Sequence, residues 1–203
     1  MLYFQDKTER NSNATMEVLF ERKNEKFAIA RSFDIKYLAP IGRYVQWKLE
    51  NNHWDDYNEL YHATRLTQDL KTYSDIWFDT HYLYRDDLII GVLLIVGGNV
   101  GKLETKYDIE EESLLLKYFH IADKGLGYGS FWIKSVIIPY YKQKGFKQIY
   151  VNSSHKDSFP FYKRLGSLIA NYERMSDNNL YPRKGSSFLI NMNVEASQLN
   201  AIR

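Results

Sequence analysis

The stretch that decides the reading is Leu114-Leu115-Leu116-Lys117-Tyr118-Phe119-His120-Ile121-Ala122-Asp123-Lys124-Gly125-Leu126-Gly127-Tyr128-Gly129-Ser130, continued by Phe131-Trp132-Ile133. Ser113 to Ile121 reads as a strand, and from about Gly129 to Lys144 apolar side chains recur at helical spacing. Gly125, Gly127 and Gly129 lie at the junction. Glycine reaches φ > 0 without steric cost and lets the backbone approach a ligand with no Cβ between them. Successive N–H groups of such a turn point outward and the following helix adds the positive end of its dipole, an arrangement suited to a phosphate or pyrophosphate. Lys124 adds a formal charge at the rim. A turn of this kind also serves as a plain connector. Two common nucleotide signatures do not fit. Gly129-Ser130 lacks the Lys that a P-loop places before its Ser or Thr. The Gly-x-Gly-x-Gly spacing comes late in the chain, with no acid near Gly145 to Lys147, and is not the dinucleotide fingerprint.

Upstream of this stretch, Phe27 to Phe33 alternates as a strand. Pro40 suits a first helical turn, and Ile41, Tyr44, Val45 and Leu49 form one face of a helix ended by Asn51-Asn52. Asp56 with Glu59 makes a capping box for a second helix, whose stripe is Leu60, Ala63, Leu66, Leu70 and Tyr73. Ile76 to Arg85 alternates up to the turn signal Asp86-Asp87. Leu88 to Val96 is a continuous run of the kind a strand buried on both faces carries, closed by Gly97-Gly98-Asn99. An acidic run, Asp108 to Glu112, precedes the deciding strand.

Downstream, Pro139 predicts a kink in the long helix, and Gly145 stands where a left-handed helix C-terminus belongs. Gln148 to Ser153 reads as a strand and Ser158 to Leu165 as a short helix capped by Gly166. Ser167 to Met175 and Ser187 to Val194 read as the last two strands. The order β–α–α–β–β–β–α–β–α–β–β is an α+β domain around a mostly antiparallel sheet. Residues 16–203 are expected to form one domain, with 1–15 a polar arm ahead of it.

Composition bounds the function. The chain contains no Cys, which removes disulfides, thiolate metal sites and a cysteine nucleophile, and no metal is expected. A net charge of +2 with no Lys/Arg cluster argues against a nucleic-acid partner. The most apolar run, Leu88 to Val96, falls short of the ~20 residues of a membrane span. The N-terminus lacks the basic-then-apolar pattern of a secretory signal, so a cytoplasmic protein with no membrane partner is expected.

A second informative stretch is Ser153-Ser154-His155-Lys156-Asp157-Ser158-Phe159-Pro160-Phe161-Tyr162-Lys163-Arg164-Leu165-Gly166-Ser167. Ser158 suits an N-cap and Pro160 a first turn, while Phe161 and Leu165, one turn apart, face the sheet. Tyr162 is either a packing aromatic or a phenol held at a helix start beside the ends of two strands.

Together the two stretches resemble the GNAT superfamily of acyl-CoA-dependent N-acetyltransferases. The family signature Gln/Arg-x-x-Gly-x-Gly/Ala is matched by Lys124-Gly125-Leu126-Gly127-Tyr128-Gly129, with Lys in first place. A later Asn-x-x-Ala-x-x-Phe-Tyr-x-x-x-Gly-Phe is matched at Phe161, Tyr162 and Gly166, with His155 at the usual Asn and Ser167 at the final Phe. The resemblance implies a GNAT-like mixed, mostly antiparallel sheet with splayed central strands and helices on both faces. It implies acetyl-CoA as cosubstrate, its pyrophosphate held by Lys124, Gly125, Leu126, Gly127, Tyr128, Gly129 and Ser130. Its pantetheine arm would meet Phe119, His120 and Ile121, with Asn152, His155 and Tyr162 completing the site.

The implied reaction is direct attack of a primary amine on the acetyl thioester, with Tyr162 as general acid and Glu112, His120 or a water chain taking the amine proton. The implied partner is a small-molecule or peptide amine acceptor, and the arrangement is compatible with a homodimer. Which acceptor is left open. Trp47, Trp54, Tyr57 and Tyr61 either line an aromatic pocket or pack as core, and Asp108 to Glu112 either draws in a cationic amine or is a solvated loop. The alternatives are a non-catalytic acyl-CoA-binding regulatory module of the same fold, or an interaction domain whose glycine turn is structural.

Overall fold

The computed structural model describes residues 16–30, 33–53, 57–103, 109–176 and 179–193. The expected arm at 1–15, Trp54, Asp56, Asp108 and Val194 lie outside the described residues. Eight strands form one sheet in the order β1-β2-β3-β4-β5-β6-β8-β7. They are β1 (Met16–Arg22), β2 (Glu25–Ala30), β3 (Ile76–Arg85), β4 (Leu88–Gly98), β5 (Ser113–Ile121), β6 (Gln148–Ser153), β7 (Ser167–Met175) and β8 (Pro182–Asn191). Every neighbouring pair is antiparallel except β5 with β6. This is the α+β architecture the sequence predicts, with the hairpin strand β1 added. Its apolar residues Met16, Val18 and Phe20 alternate with Glu17 and Glu21 but stay exposed, so the strand is held by pairing and not by burial.

Helices cover both faces. On one, α1 (Ala39–Glu50) and α2 (Glu59–Leu70) pack Leu38, Ile41, Val45 and Ala63 on Val92. On the other, α3 (Tyr128–Phe131), a π-helical turn (Trp132–Ile137) and α4 (Ile138–Gln143) form one continuous helix. With the short α5 (Phe159–Lys163), it builds the main core around Trp132, Ile133, Ile137 and Tyr141. The strand β4 feeds both cores, Leu93 and Ile95 to one side and Val92 and Val96 to the other, as its unbroken apolar run requires.

Several local expectations are corrected. The cap of α2 is Asn58, whose side chain accepts from Tyr61 N–H at 3.0 Å, so Glu59 is the first helical residue and not the far half of a capping box. That frees its carboxylate to pair with Lys48. Leu49 is 58 % exposed and the buried fourth position of α1 is Lys48, which needs the Glu59 partner to be there. Tyr73 lies past the end of α2 and is exposed. Pro139 does not break the long helix. The turn before it widens, with Ile138 N–H donating to Ile133 O, and Pro139 enters the first turn of α4. Gly145 is left-handed as expected (φ 91°), whereas Gly166 is not among the positive-φ glycines. Its N–H still closes α5 on Tyr162 O at 3.0 Å, but a Cβ there would stand 2.2 Å from Leu189 O, so glycine is required for close approach to β8. The last strand begins at Pro182, ahead of the expected Ser187, and β2 ends at Ala30, short of Phe33.

Candidate functional site

Two breaks in the sheet create the site. The parallel pairing of β5 with β6 runs only from Ser113↔Gln148 to Leu116↔Val151, although β5 continues to Ile121. On its other side β5 stays paired with β4, through Phe119 with Leu93 and Ile121 with Gly91. Between Tyr118 and Leu116 the β4 register skips Lys117, a bulge that turns the strand. The backbone edge of Lys117–Ile121 that would face β6 therefore meets a cleft and no strand. The cleft has a volume of about 1070 Å³ and is lined by that edge, the glycine loop, the end of β6 through His155, α5, α2 and Tyr172 and Arg174 of β7.

The loop at one end of the cleft is a backbone cradle. Gly125 (φ 82°) and Gly127 (φ 80°) are left-handed, and a Cβ on either would meet nothing within 4 Å, so both face open space. Gly127 caps α3 with no side-chain hydrogen bond to its first turn, which leaves the first N–H groups of the long helix for a ligand. Gly129 has a different task. A Cβ there would sit 3.0 Å from Phe161 Cε2 and 3.5 Å from Phe119 Cε1, so its absence lets the helix start close on α5 and β5. Tyr128 anchors the loop to the far strands by donating to Glu25 Oε1 at 2.6 Å, with the Arg85 guanidinium 4.9 Å from its ring and bound to Asp123. The loop thus fits a diphosphate by vacancy, first-turn N–H groups and anchoring alike.

The structure gathers most of the sequence-predicted site residues here. Phe119, His120, Ile121, Lys124, Gly125, Gly127, Tyr128, Gly129, Ser130, Asn152, His155 and Tyr162 all line the cleft. Leu126 does not; it is 68 % exposed at the loop tip. Lys124 lies on exposed backbone, but its ammonium turns inward, 4.3 Å from the Tyr44 ring. Desolvation there pushes its pKa down against the pull of Asp157 and Glu59. Asn152 accepts a hydrogen bond from Ser187 Oγ at 2.6 Å. Tyr162 is buried against Phe161 and Phe188, and burial pushes its phenol pKa up, so it stays protonated throughout the neutral range.

The two predicted bases fare differently. Glu112 is not brought to the cleft: it sits at the opposite end of β5, where Lys147 Nζ lies 3.1 Å away and holds the carboxyl below its usual range. The resemblance implies a base there, at the start of β5, but nine extended residues of β5 carry the loop away from it. His120 does line the cleft, its ring 4.7 Å from that of Tyr44. Burial, then the charges of Lys124, His155 and Arg43, pull its pKa down to about 3, so its imidazole is neutral and weakly basic at pH 7.

Residues that sequence reasoning passed over fill the other end. Glu59 is 6 % exposed and lines the cleft; Lys48, 2 % exposed, lies 2.8 Å from its Oε2 and also donates to Tyr57 O at 2.7 Å. His155 Nε2 is 3.9 Å from Glu59. The Tyr118 and Tyr57 hydroxyls share a hydrogen bond, and burial pushes the Tyr118 pKa up. Of the four aromatics considered for an acceptor pocket, Tyr57 lines the cleft, whereas Trp47 and Tyr61 are exposed on α1 and α2. The burial of Lys48 at helical spacing from Ile41 and Val45 is the one signal that could have exposed the Lys48–Glu59 pair, since a buried lysine requires a counter-charge. Among the described residues no group of His, Asp and Glu is arranged to hold a metal ion, and no helix is long and apolar enough to cross a membrane.

No family model and no curated protein matches this chain. Solved structures do. A Desulfovibrio desulfuricans protein assigned to the GNAT acetyltransferase family superposes with a TM-score of 0.52 at 14% identity, over 82% of this chain and 99% of that one. The Salmonella typhimurium acetyltransferase that modifies the N-terminal serine of ribosomal protein L7/L12 gives 0.54 at 12% identity, over 85% and 98%. A second Salmonella typhimurium protein assigned as an acetyltransferase, solved with its cofactor acetyl-CoA, gives 0.52 at 10% identity, over 84% and 96%. The splayed β5–β6 pair, the glycine cradle and the helices on both faces thus compose the fold of the GNAT acetyltransferases.

Proposed function

We propose that the chain is an N-acetyltransferase that takes an acetyl group from acetyl-CoA and passes it to a primary amine. The observation that carries this reading is the open backbone edge of Lys117–Ile121 ending at the left-handed glycines of the loop. An extended amide-bearing chain can pair with that edge as an added strand, while its diphosphate meets the N–H groups after Gly127. When bound, acetyl-CoA supplies a thioester at which the amine attacks, the C–N bond forming as the C–S bond breaks.

Tyr162 gives its proton to the departing sulfur and recovers one from the nitrogen, so the phenol ends as it began. Its burial suits both halves of that exchange, since the neutral phenol is favoured before and after. Backbone N–H groups of β5 at the wedge stabilise the carbonyl oxygen as it gains charge. The acceptor enters from the α2 side, past Tyr57 and Tyr118.

Isothermal titration with acetyl-CoA, followed by thiol release against a panel of amines, tests the reading. Binding with amine-dependent thiol release is expected; no heat and no thermal shift at millimolar acetyl-CoA would overturn it. A second reading, an acyl-CoA-binding module without catalysis, is favoured by the displacement of Glu112 and the weak basicity of His120. It predicts binding with no thiol release above background for any amine.

A further inference from the structure

Beside the acceptor end of the cleft stands a pair of cations that acetyl transfer as such does not use, Arg174 in the lining and Arg183 next to it. Arg174 of β7 and Arg183 of β8 are direct register partners. Their guanidinium carbons lie 5.6 and 5.2 Å from the centre of one ring, that of Tyr57. Like charges placed opposite each other across two strands repel. Here both converge on one aromatic ring, which offers each a cation–π seat.

That ring is itself fixed. Lys48 holds the Tyr57 carbonyl, His62 stacks on the ring at 4.5 Å and 7°, and the Tyr57 hydroxyl is bonded to that of Tyr118. Tyr118 stands on β5 just past Leu116, the last residue paired with β6, so one hydrogen bond and one ring separate the two cations from the wedge. Arg174 lines the cleft, and its charge acts on the Tyr118 phenol. Arg183 also donates to the Tyr181 hydroxyl at 3.4 Å. On the same two strands the neighbouring positions carry the opposed charges Glu173 and Lys184, 3.9 Å apart, so two arginines in register are a departure from the local pattern.

We propose that Arg174 and Arg183 form an anion-binding end to the acceptor site, so that the acceptor is an amine bearing a carboxylate or phosphate group. The inference rests on the transferase reading for the word acceptor, but the anion site itself stands on the arginine geometry. A guanidinium presents its donors in a planar fork that matches either anion in two parallel hydrogen bonds, and two forks on one ring select for such a group against a neutral one. The same charges steer an anionic acceptor toward the wedge from solution.

The test has a binding arm and a turnover arm. In the first, thermal shift and calorimetry without acetyl-CoA compare N-acetylated amino acids and dipeptides with their C-terminal amides, and phosphoethanolamine with ethanolamine. In the second, thiol release is measured for the free amino acids, dipeptides and their amides, and for the same two ethanolamines. The anionic member of each pair is expected to win by about tenfold or more, the effect of one or two hydrogen bonds to a charged group. Arg174→Gln and Arg183→Gln should each bring the ratio close to one through KM, and Arg183→Lys should restore part of it. Lys184→Gln, a charge removed beside Arg183 but paired with Glu173, should leave the ratio as it was.

Preference for the carboxylate alone or the phosphate alone identifies which anion the site takes. If neutral and anionic members bind and react alike, or the arginine variants leave the ratio unchanged, the anion site is overturned while acetyl-CoA binding still upholds the transferase reading. If acetyl-CoA neither binds nor reacts but the anions bind and the variants abolish that binding, the anion site stands and the transferase reading falls.

Discussion

The two ends of the cleft are made in opposite ways. At the loop end, recognition is assigned to backbone: the open edge of Lys117–Ile121, the left-handed Gly125 and Gly127, and the first N–H groups of α3, all from one continuous stretch. At the acceptor end it is assigned to side chains, Tyr57, Glu59 and Arg174 in the lining with Arg183 beside them, which come from α2 and its approach and from β7 and β8. Backbone groups are the same in every sequence, so the loop end depends on a few glycines and tolerates drift elsewhere. The acceptor end can be rewritten one side chain at a time. A fold built this way keeps one ligand chemistry constant while the other is free to change.

The largest effect should come from Lys48→Met, which strikes the acceptor end alone. It leaves the buried Glu59 carboxylate unmatched and the Tyr57 carbonyl without its donor, and should cost about 3–5 kcal/mol of stability in urea titrations. Adding Glu59→Leu should recover most of that loss, because a well-packed apolar pair replaces a buried ion pair at little net cost. A melting point unchanged by Lys48→Met would show that the two helices are not tied there. Next, Tyr162→Phe should lower kcat by about 10²–10³-fold with acetyl-CoA affinity nearly intact, since it removes a proton and little volume. An equal loss in binding would place Tyr162 in recognition and not in proton transfer.

Gly129→Val then probes the loop end. Its added atoms meet Phe161 and Phe119, an overpacking of about 1–3 kcal/mol that should raise the acetyl-CoA Kd roughly tenfold to a hundredfold while leaving the acceptor preference unchanged. The smallest effect is set by pH. Burial holds the folded-state pKa of His81 at about 3, below the unfolded value near 6.5, so the unfolded chain binds the proton first. The stability this histidine contributes is full above about pH 6.5 and declines as pH falls toward 3, by about 1.4 kcal/mol at roughly pH 5.5. The same sign holds for His120. His81→Gln, measured by denaturant titration from neutral to acid pH, should flatten the slope, and His120→Gln should do so in addition. A slope unmoved by either would mean that other groups carry the acid loss.

Elements whose own residues carry the signal were legible. The run Leu88–Val96 announced a strand buried on both faces, and Asp86-Asp87 announced the hairpin that both residues make with positive φ. Gly125-Leu126-Gly127 announced the cradle. Elements whose reason lies elsewhere were not. Strand β1 is an exposed edge held by pairing with β2, and its alternating Met16, Val18 and Phe20 bury little surface. Gly166 closes α5 through its N–H as its place suggested, but the reason it must be glycine, Leu189 O, is brought there only by the sheet. Glu112 was a candidate base by the resemblance alone, and its pairing with Lys147 away from the cleft depends on where β6 is placed.

The sequence by itself therefore determined the α+β order and the glycine turn between strand and helix, because these follow from periodicity and from the backbone conformations that particular residues permit. Only the tertiary structure decided where β5 parts from β6, that Lys48 is buried on Glu59, and that Arg174 and Arg183 converge on Tyr57. Those facts depend on strand register and helix placement. Register is a long-range pairing that brings distant residues together, and no single stretch of the chain encodes it.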